Sequence, residues 1–168
     1  KDLLDDDRIY LSRFRDYSIK QSSNPEHQAK YRFGQADTHL NFIRNDVFKH
    51  VESHYRADPA KRTYFGYSLG GLFGAYILAS KPDTFKNYML GSPSLRGDIP
   101  MLSERAGKHG AMNANVFITY GSTEEELGQH VDTFLAMLDG KKDKSLSVKH
   151  MVIEGSHQTA FPMTGVKG

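Results

Sequence analysis

The pentapeptide Gly66-Tyr67-Ser68-Leu69-Gly70 constrains the fold of this chain more than any other feature. It fits the pattern G-x-S-x-G and lies between a predicted strand, 63–67, and a predicted helix, 69–80. In that setting the pattern is typical of an elbow in which the serine occupies a strained turn between small neighbours. A glycine-rich turn that only allows close packing could have the same sequence, so the flanking elements carry the prediction.

The spacing of apolar residues predicts helices and strands that alternate around this elbow. Helical spacing occurs in three segments: 37–58, 69–80 and 127–140. Apolar and β-branched runs predict four strands: 63–67, 88–90, 116–120 and 145–153. The order predicts an α/β fold, a mostly parallel sheet with helices on both faces. A length of 168 residues suits a single domain, 1–168.

Composition excludes several classes of protein and site. Lysine plus arginine number 22 and aspartate plus glutamate 20, so no strong basic surface indicates a nucleic-acid partner. The chain has no cysteine, which excludes disulfides, thiolate metal sites and a cysteine nucleophile. No apolar run approaches the roughly 18 residues of a membrane span. No motif indicates a metal or an organic cofactor, and none indicates an oligomeric state or a compartment.

Ser68 is the candidate nucleophile. It would lie at the N-terminus of the helix 69–80, where partial positive charge stabilises developing negative charge. The backbone N–H of Leu69 is the candidate for one half of an oxyanion hole. Tyr67, which directly precedes the serine, is the candidate substrate-binding residue.

His157 is the candidate base that Ser68 needs, because a serine is a weak nucleophile until its proton is removed. It follows the last predicted strand and lies on a loop at the edge of the sheet where sites of α/β proteins form. Seven other histidines compete for this role. His50 and His54 have a spacing that can bind zinc, but without a third ligand they fit better as solvated helix residues.

The candidate acid should follow an intermediate strand, after Ser68 and before His157 in the chain. Glu124 ranks first because it is the earliest carboxylate after the strand 116–120, Glu125 ranks second, and Asp98 is a further alternative. Glutamates that begin a helix are also favoured there for structural reasons alone. A serine–histidine pair without a third member therefore stays open.

Several segments, in chain order, resemble the putative esterase family of α/β hydrolases, which includes esterase D, feruloyl esterases, siderophore esterases and mycolyltransferases. The similar segments run from about Arg15 to Pro162: RDYS 15–18, YR 55–56, YFGYSLGGLFG 64–74, KPDTF 81–85, SPSL 92–95 and GSH 155–157. The resemblance implies that Ser68 is the nucleophile and His157 the base. It also implies an acid within 121–125, most simply Glu124.

The resemblance implies a serine hydrolase that cleaves a small-molecule carboxylic ester through an acyl-enzyme, without a cofactor. An acyltransferase with the same acyl-enzyme, a peptidase with a related elbow and a non-catalytic binding module of the α/β-hydrolase fold are the alternatives. The acyl and alcohol parts are not implied, because Arg96-Gly97-Asp98 stands where the family often has aromatic residues that wall the pocket.

The family's early strands precede the segment that residues 15–18 resemble, and this chain has little sequence there. The expectation is therefore a single, incomplete α/β-hydrolase domain that lacks its N-terminal strands and has an open sheet edge. The second oxyanion donor is expected just before or around Lys1. The family's last helix is expected beyond Gly168.

Overall fold

The computed structural model describes residues 6–168, with side chains from Ile9 onward. These residues form two compact units, one that ends at Ala57 and one that spans Asp58–Gly168. All the candidate site residues belong to the second unit. The second oxyanion donor, expected just before or around Lys1, lies outside the described residues.

The first unit is helical. Its helices are α1 (Asp6–Tyr17), α2 (Pro25–Lys30), α3 (Ala36–Phe42) and α4 (Phe48–His54), with a π-helical turn, Ile43–Val47, that joins α3 to α4. The continuous run 36–54 confirms a helix in this region, but it ends before the predicted boundary at Asp58. A π-helical turn holds more residues than an α-helical turn, so the residues after it are rotated around the axis. Accordingly, Leu40 is buried whereas Val51 and Tyr55 are exposed, although their spacing would place all three on one face of a regular α-helix.

The second unit is built on a four-stranded parallel sheet of order β1-β2-β3-β4, which confirms the predicted α/β architecture. The strands are β1 (Thr63–Tyr67), β2 (Asn87–Gly91), β3 (Asn115–Gly121) and β4 (Ser147–Ile153). The register pairs Tyr67 with Gly91, Gly91 with Thr119, and Gly121 with Ile153. The carboxyl ends of all four strands therefore lie along one edge, where the loops after them can meet.

Four α-helices accompany this sheet: α5 (Leu69–Ser80), α6 (Ile99–Gly107), α7 (Glu125–Gly140) and α8 (Ala160–Lys167). Successive strand residues point to opposite faces. Tyr64 contacts Phe73 of α5, with ring centroids 6.2 Å apart, and its neighbour Phe65 contacts Phe161 of α8 at 6.1 Å. Helices therefore cover both faces, as predicted.

The core of the second unit centres on α5, in which every residue from Gly70 to Ala79 is buried. Leu90 of β2, Ile118 of β3 and Phe134 of α7 are also fully buried. None of the helices within residues 6–168 is long and apolar enough to cross a bilayer.

Candidate active site

The elbow joins β1 to α5 with a single residue, Ser68, between them. Ser68 has φ 57° and ψ −116°, a conformation that is uncommon for residues other than glycine. Its N–H donates to the carbonyl oxygen of Gly91 at 2.9 Å, and its own carbonyl oxygen accepts from Leu72 at 3.0 Å. A Cβ atom on Gly66 would overlap the carbonyl oxygen of Gly70, so the turn can only close over glycine.

The N–H of Leu69 opens α5 and has no partner within the helix. The Ser68 hydroxyl lies next to it, at the positive end of the helix dipole. Ser68 Oγ lies 3.4 Å from Ser94 Oγ, within hydrogen-bond distance. In residues 6–168 no hydrogen bond joins Ser68 to His157; such bonds are often formed only when substrate is bound.

His157 and Glu124 form a short hydrogen-bonded pair at the same edge of the sheet. His157 lies on the loop between β4 and α8, and Glu124 directly precedes α7. The distance from His157 Nδ1 to Glu124 Oε1 is 2.6 Å. The side chain of Glu124 is 8% exposed and that of His157 is 36% exposed. With Nδ1 bound to the carboxylate, the second nitrogen, Nε2, is available for a hydroxyl proton.

The second carboxylate oxygen of Glu124 accepts two hydrogen bonds. Ser92 Oγ donates at 2.6 Å and the backbone N–H of Gly121 donates at 2.7 Å. Burial alone would raise the pKa of Glu124. The donated hydrogen bonds from Ser92, Gly121 and His157 outweigh burial and hold this pKa below its usual value. Glu124 is therefore ionised at neutral pH.

Tyr67 contacts the same loop from the end of β1. Its hydroxyl donates to the carbonyl oxygen of His157 at 2.7 Å and lies 2.8 Å from Ser92 Oγ. Burial raises the pKa of Tyr67, so this hydroxyl keeps its proton. Because the hydroxyl is engaged, the ring is the part of Tyr67 that is left for the predicted contact with substrate.

The other candidate acids lie elsewhere. Glu125 is the first residue of α7 and is exposed, and Asp98 is a buried residue that directly precedes α6. Among the described side chains neither of them is hydrogen-bonded to His157. His50 and His54 stack with ring centroids 4.4 Å apart in α4. No group of three or more His, Cys, Asp or Glu in the described part of the chain could hold a metal ion.

A cavity of about 280 Å³ adjoins the elbow. Its lining includes Ser94, whose hydroxyl faces Ser68, and the apolar residues Leu95 and Leu127. Arg96, Glu126 and His130 complete the lining; Arg96 Nη1 lies 3.5 Å from Glu126 Oε1, and both side chains are exposed. An apolar group beside a polar, hydrogen-bonding group would fit this lining.

Ser92 and Ser94 were not among the residues predicted for the site. Both belong to the segment 92–95 that follows β2, and that segment lies at the carboxyl edge of the sheet. Their position directly after a predicted strand is the feature of the sequence that could have indicated them as site residues. Their contacts with Glu124 and Ser68 depend on the parallel register, which the sequence does not encode locally.

Comparison with known proteins gives a family match along most of the chain. A family model described as putative esterase matches residues 13–159. The ferri-bacillibactin esterase BesA of Bacillus subtilis is 30% identical over 125 residues, 68% of this chain and 43% of that protein. The siderophore triacetylfusarinine C esterase of Aspergillus fumigatus is 30% identical over 89 residues, 52% of this chain and 30% of that protein.

The fold is also that of a solved structure, the BES protein from Bacillus cereus. The superposition has a TM-score of 0.82 at 24% sequence identity and covers 94% of this chain and 64% of that one. At this identity the likeness shows the fold alone. The chain thus spans less than half of each of the two curated relatives and less than two thirds of the solved structure.

Proposed function

Because this chain belongs to the putative esterase family, we propose that the protein is a serine hydrolase that cleaves carboxylic esters through an acyl-enzyme intermediate. In this proposal Ser68 is the nucleophile, His157 the general base and Glu124 the acid. The N–H of Leu69 supplies one oxyanion-hole donor.

One observation carries the proposal: a buried, ionised carboxylate binds Nδ1 of His157 beside an elbow that holds Ser68 in a strained conformation. A buried carboxylate costs free energy unless its oxygens are satisfied, and here Ser92 and Gly121 donate to the Glu124 oxygen that does not bind His157. Strained backbone persists where the surrounding structure enforces it, which is common at active sites.

In the proposed reaction, His157 Nε2 takes the proton of Ser68 Oγ while Oγ attacks the ester carbonyl carbon. The negative charge that develops on the carbonyl oxygen is stabilised by the N–H of Leu69 and by the start of α5. The carbon–oxygen bond to the alcohol then breaks, and the alcohol leaves with the proton from His157. Water, deprotonated by His157, then attacks the acyl carbon. The bond from that carbon to Ser68 Oγ breaks, His157 returns the proton to Oγ, and the carboxylic acid is released. Glu124 stabilises the imidazolium in both steps.

We further propose a siderophore ester as the substrate class. Two curated relatives at 30% identity are named as esterases of siderophores, which supports this choice. The cavity beside Ser68 is consistent with such a substrate, because it combines the apolar side chains Leu95 and Leu127 with the polar rim of Arg96 and Glu126.

Labelling with a fluorophosphonate probe tests the reaction class. The full-length protein is treated with the probe, and mass spectrometry locates the adduct. We expect a single adduct on Ser68, and we expect it to form much more slowly in the variant His157→Ala. The absence of labelling in a folded protein would rule out serine-hydrolase chemistry and leave a binding module as the better interpretation.

Product analysis tests the substrate class and the acceptor. The protein is incubated with a ferric siderophore ester and, separately, with p-nitrophenyl butyrate, and products are separated by chromatography. Hydrolysis of the siderophore with a higher kcat/KM supports the proposal, whereas a clear preference for the simple ester contradicts it. An ester formed with an added alcohol would indicate acyl transfer instead.

A further inference from the structure

Ser92 has a backbone conformation that needs an explanation. It directly follows β2, is fully buried and has φ 37°, a positive value that is uncommon for a residue with a side chain. Its N–H donates to the carbonyl oxygen of Thr119 at 2.7 Å. Such a conformation persists only where the surrounding structure enforces it, and it is often found at functional sites.

The hydroxyl of Ser92 lies between two groups that each hold His157. Ser92 Oγ is 2.6 Å from Glu124 Oε2 and 2.8 Å from the Tyr67 hydroxyl. Glu124 binds the ring of His157 through Nδ1, at 2.6 Å, and Tyr67 binds the backbone carbonyl of the same residue, at 2.7 Å. Ser92 therefore contacts both the group that binds the ring of His157 and the group that binds its backbone.

The number of hydroxyl protons determines which of these contacts are hydrogen bonds. Ser92 and Tyr67 have one hydroxyl proton each, but they take part in three contacts. An ionised carboxylate only accepts, so the Ser92 proton must go to Glu124. The Tyr67 proton goes to the His157 carbonyl oxygen. No proton is then left for the contact between the two hydroxyls. Ser92 acts on the ring of His157 through Glu124, and Tyr67 acts on the backbone of His157.

The ring of Tyr67 is also fixed. A Cβ atom on Gly91, its register partner on β2, would overlap the Tyr67 ring, so the ring packs directly on the glycine backbone. The ring centroid lies 5.1 Å from that of His157 and 5.0 Å from that of Phe161 on α8. The Tyr67 hydroxyl thus reaches the His157 loop from a rigid strand end.

From these contacts we infer that Ser92 and Tyr67 are positioning residues of the proposed reaction: Ser92 orients the Glu124 carboxylate towards His157, and Tyr67 holds the His157 backbone. This inference rests on the proposed function. Neither residue touches the reacting atoms in it. Hydrogen bonds to charged groups are roughly twice as strong as neutral ones, so Ser92 should matter more than Tyr67.

The rate at which the fluorophosphonate probe labels Ser68 measures this positioning without a known substrate. We expect Ser92→Ala to lower the second-order labelling rate constant about 10- to 100-fold, and Tyr67→Phe about 2- to 10-fold. Tyr120→Phe is the matched control, because it makes the same change on β3 at a hydroxyl that has no hydrogen bond with the described residues. It should label at the wild-type rate.

The pH dependence of labelling separates positioning from a merely structural role. Among the described residues, His157 and Tyr67 are the titratable groups that face Glu124. Ser92 is one of the donors that lower the pKa of Glu124, so without it this pKa should rise and the acid limb of the pH profile of labelling should move to higher pH. The variant Ser92→Gly relieves the positive φ and also lacks the hydroxyl. It should be at least as stable as Ser92→Ala, and Ser68 should still be labelled slowly. The acid limb of its pH profile should also move to higher pH.

The outcomes distinguish this inference from the proposed function. If wild-type protein labels on Ser68 and the Ser92 variants label at the same rate with the same acid limb, the positioning role is refuted and the esterase proposal stands. If folded wild-type protein does not label, both are refuted. A slow Ser92→Gly variant that melts no lower than Ser92→Ala supports the inference, because loss of stability cannot then explain the loss of rate.

Discussion

The variant Glu124→Gln tests the candidate acid, because the structure dictates how a glutamine would sit at this position. The backbone N–H of Gly121 can only donate, so the atom of residue 124 that faces it must be the amide oxygen. The amide NH2 group then faces His157 Nδ1 and donates to it. Nδ1 must become an acceptor, and the ring proton moves to Nε2, the nitrogen that should receive the Ser68 proton.

The size of the effect follows from two contributions. At an effective dielectric constant of about 20, unit charges about 4 Å apart attract by about 4 kcal/mol, and the partial exposure of His157 reduces this value. The wrong tautomer adds a further loss, and replacement of a triad acid by its amide typically costs about 10⁴-fold in kcat. We therefore expect kcat/KM to fall by about 10³- to 10⁴-fold, which corresponds to about 4–5.5 kcal/mol.

The assay is hydrolysis of p-nitrophenyl butyrate by the full-length protein at neutral pH. Glu125→Gln is the matched control, since it makes the same chemical change one residue later, at an exposed side chain that is not hydrogen-bonded to His157. The control should retain activity within a few-fold. A folded Glu124→Gln variant that loses less than about tenfold, or a larger loss in Glu125→Gln, would refute the assignment of Glu124.

Three further outcomes are expected. Gly66→Ala should lower the free energy of unfolding in urea by roughly 1–3 kcal/mol, because its Cβ overlaps the Gly70 carbonyl oxygen. The control Gly107→Ala has open space around its Cβ and should not be destabilised. Equal stabilities of the two variants would contradict this prediction. Because the pKa of Glu124 is held below the ordinary glutamate value of 4.5, its ionised form stabilises the fold above about pH 4.5, and this contribution is lost as pH falls through the lowered pKa. The melting temperature of the wild type should therefore fall more steeply than that of Glu124→Gln below pH 4.5, and parallel curves would be evidence against it. Leu127→Trp should fill the cavity beside Ser68 and raise KM about tenfold for bulky esters while leaving acetate esters unchanged; unchanged selectivity would remove this cavity from the substrate site.

The central β1–elbow–α5 unit could be predicted from the sequence to the residue. Aromatic and β-branched residues mark β1, and glycines on either side of Ser68 mark the elbow. α6 could not be predicted in this way, because its buried apolar face consists only of Leu102 and Ala106. α8 contains Pro162 and Gly165, which disfavour a helix, and its packing against β2, β3 and β4 overrides that propensity.

The candidate site also has residues that could be predicted from the sequence and contacts that could not. Ser68, His157 and Glu124 were predicted because each follows a predicted strand in the chain order of α/β hydrolases, and the structure brings His157 and Glu124 together. Their catalytic roles stay predictions. The contacts of Ser92 could not be predicted, because they join loops 32 residues apart and depend on a positive φ at a serine.

The backbone of Ser68 also bears on how this protein could evolve. A side chain at such φ and ψ values costs about 1–3 kcal/mol, and glycine would occupy the same conformation with less strain. Selection for stability alone would therefore favour glycine at this position, whereas selection for a nucleophile would retain serine. In a lineage released from catalysis, a drift from serine to glycine at this position would make the fold more robust and abolish the chemistry in a single substitution.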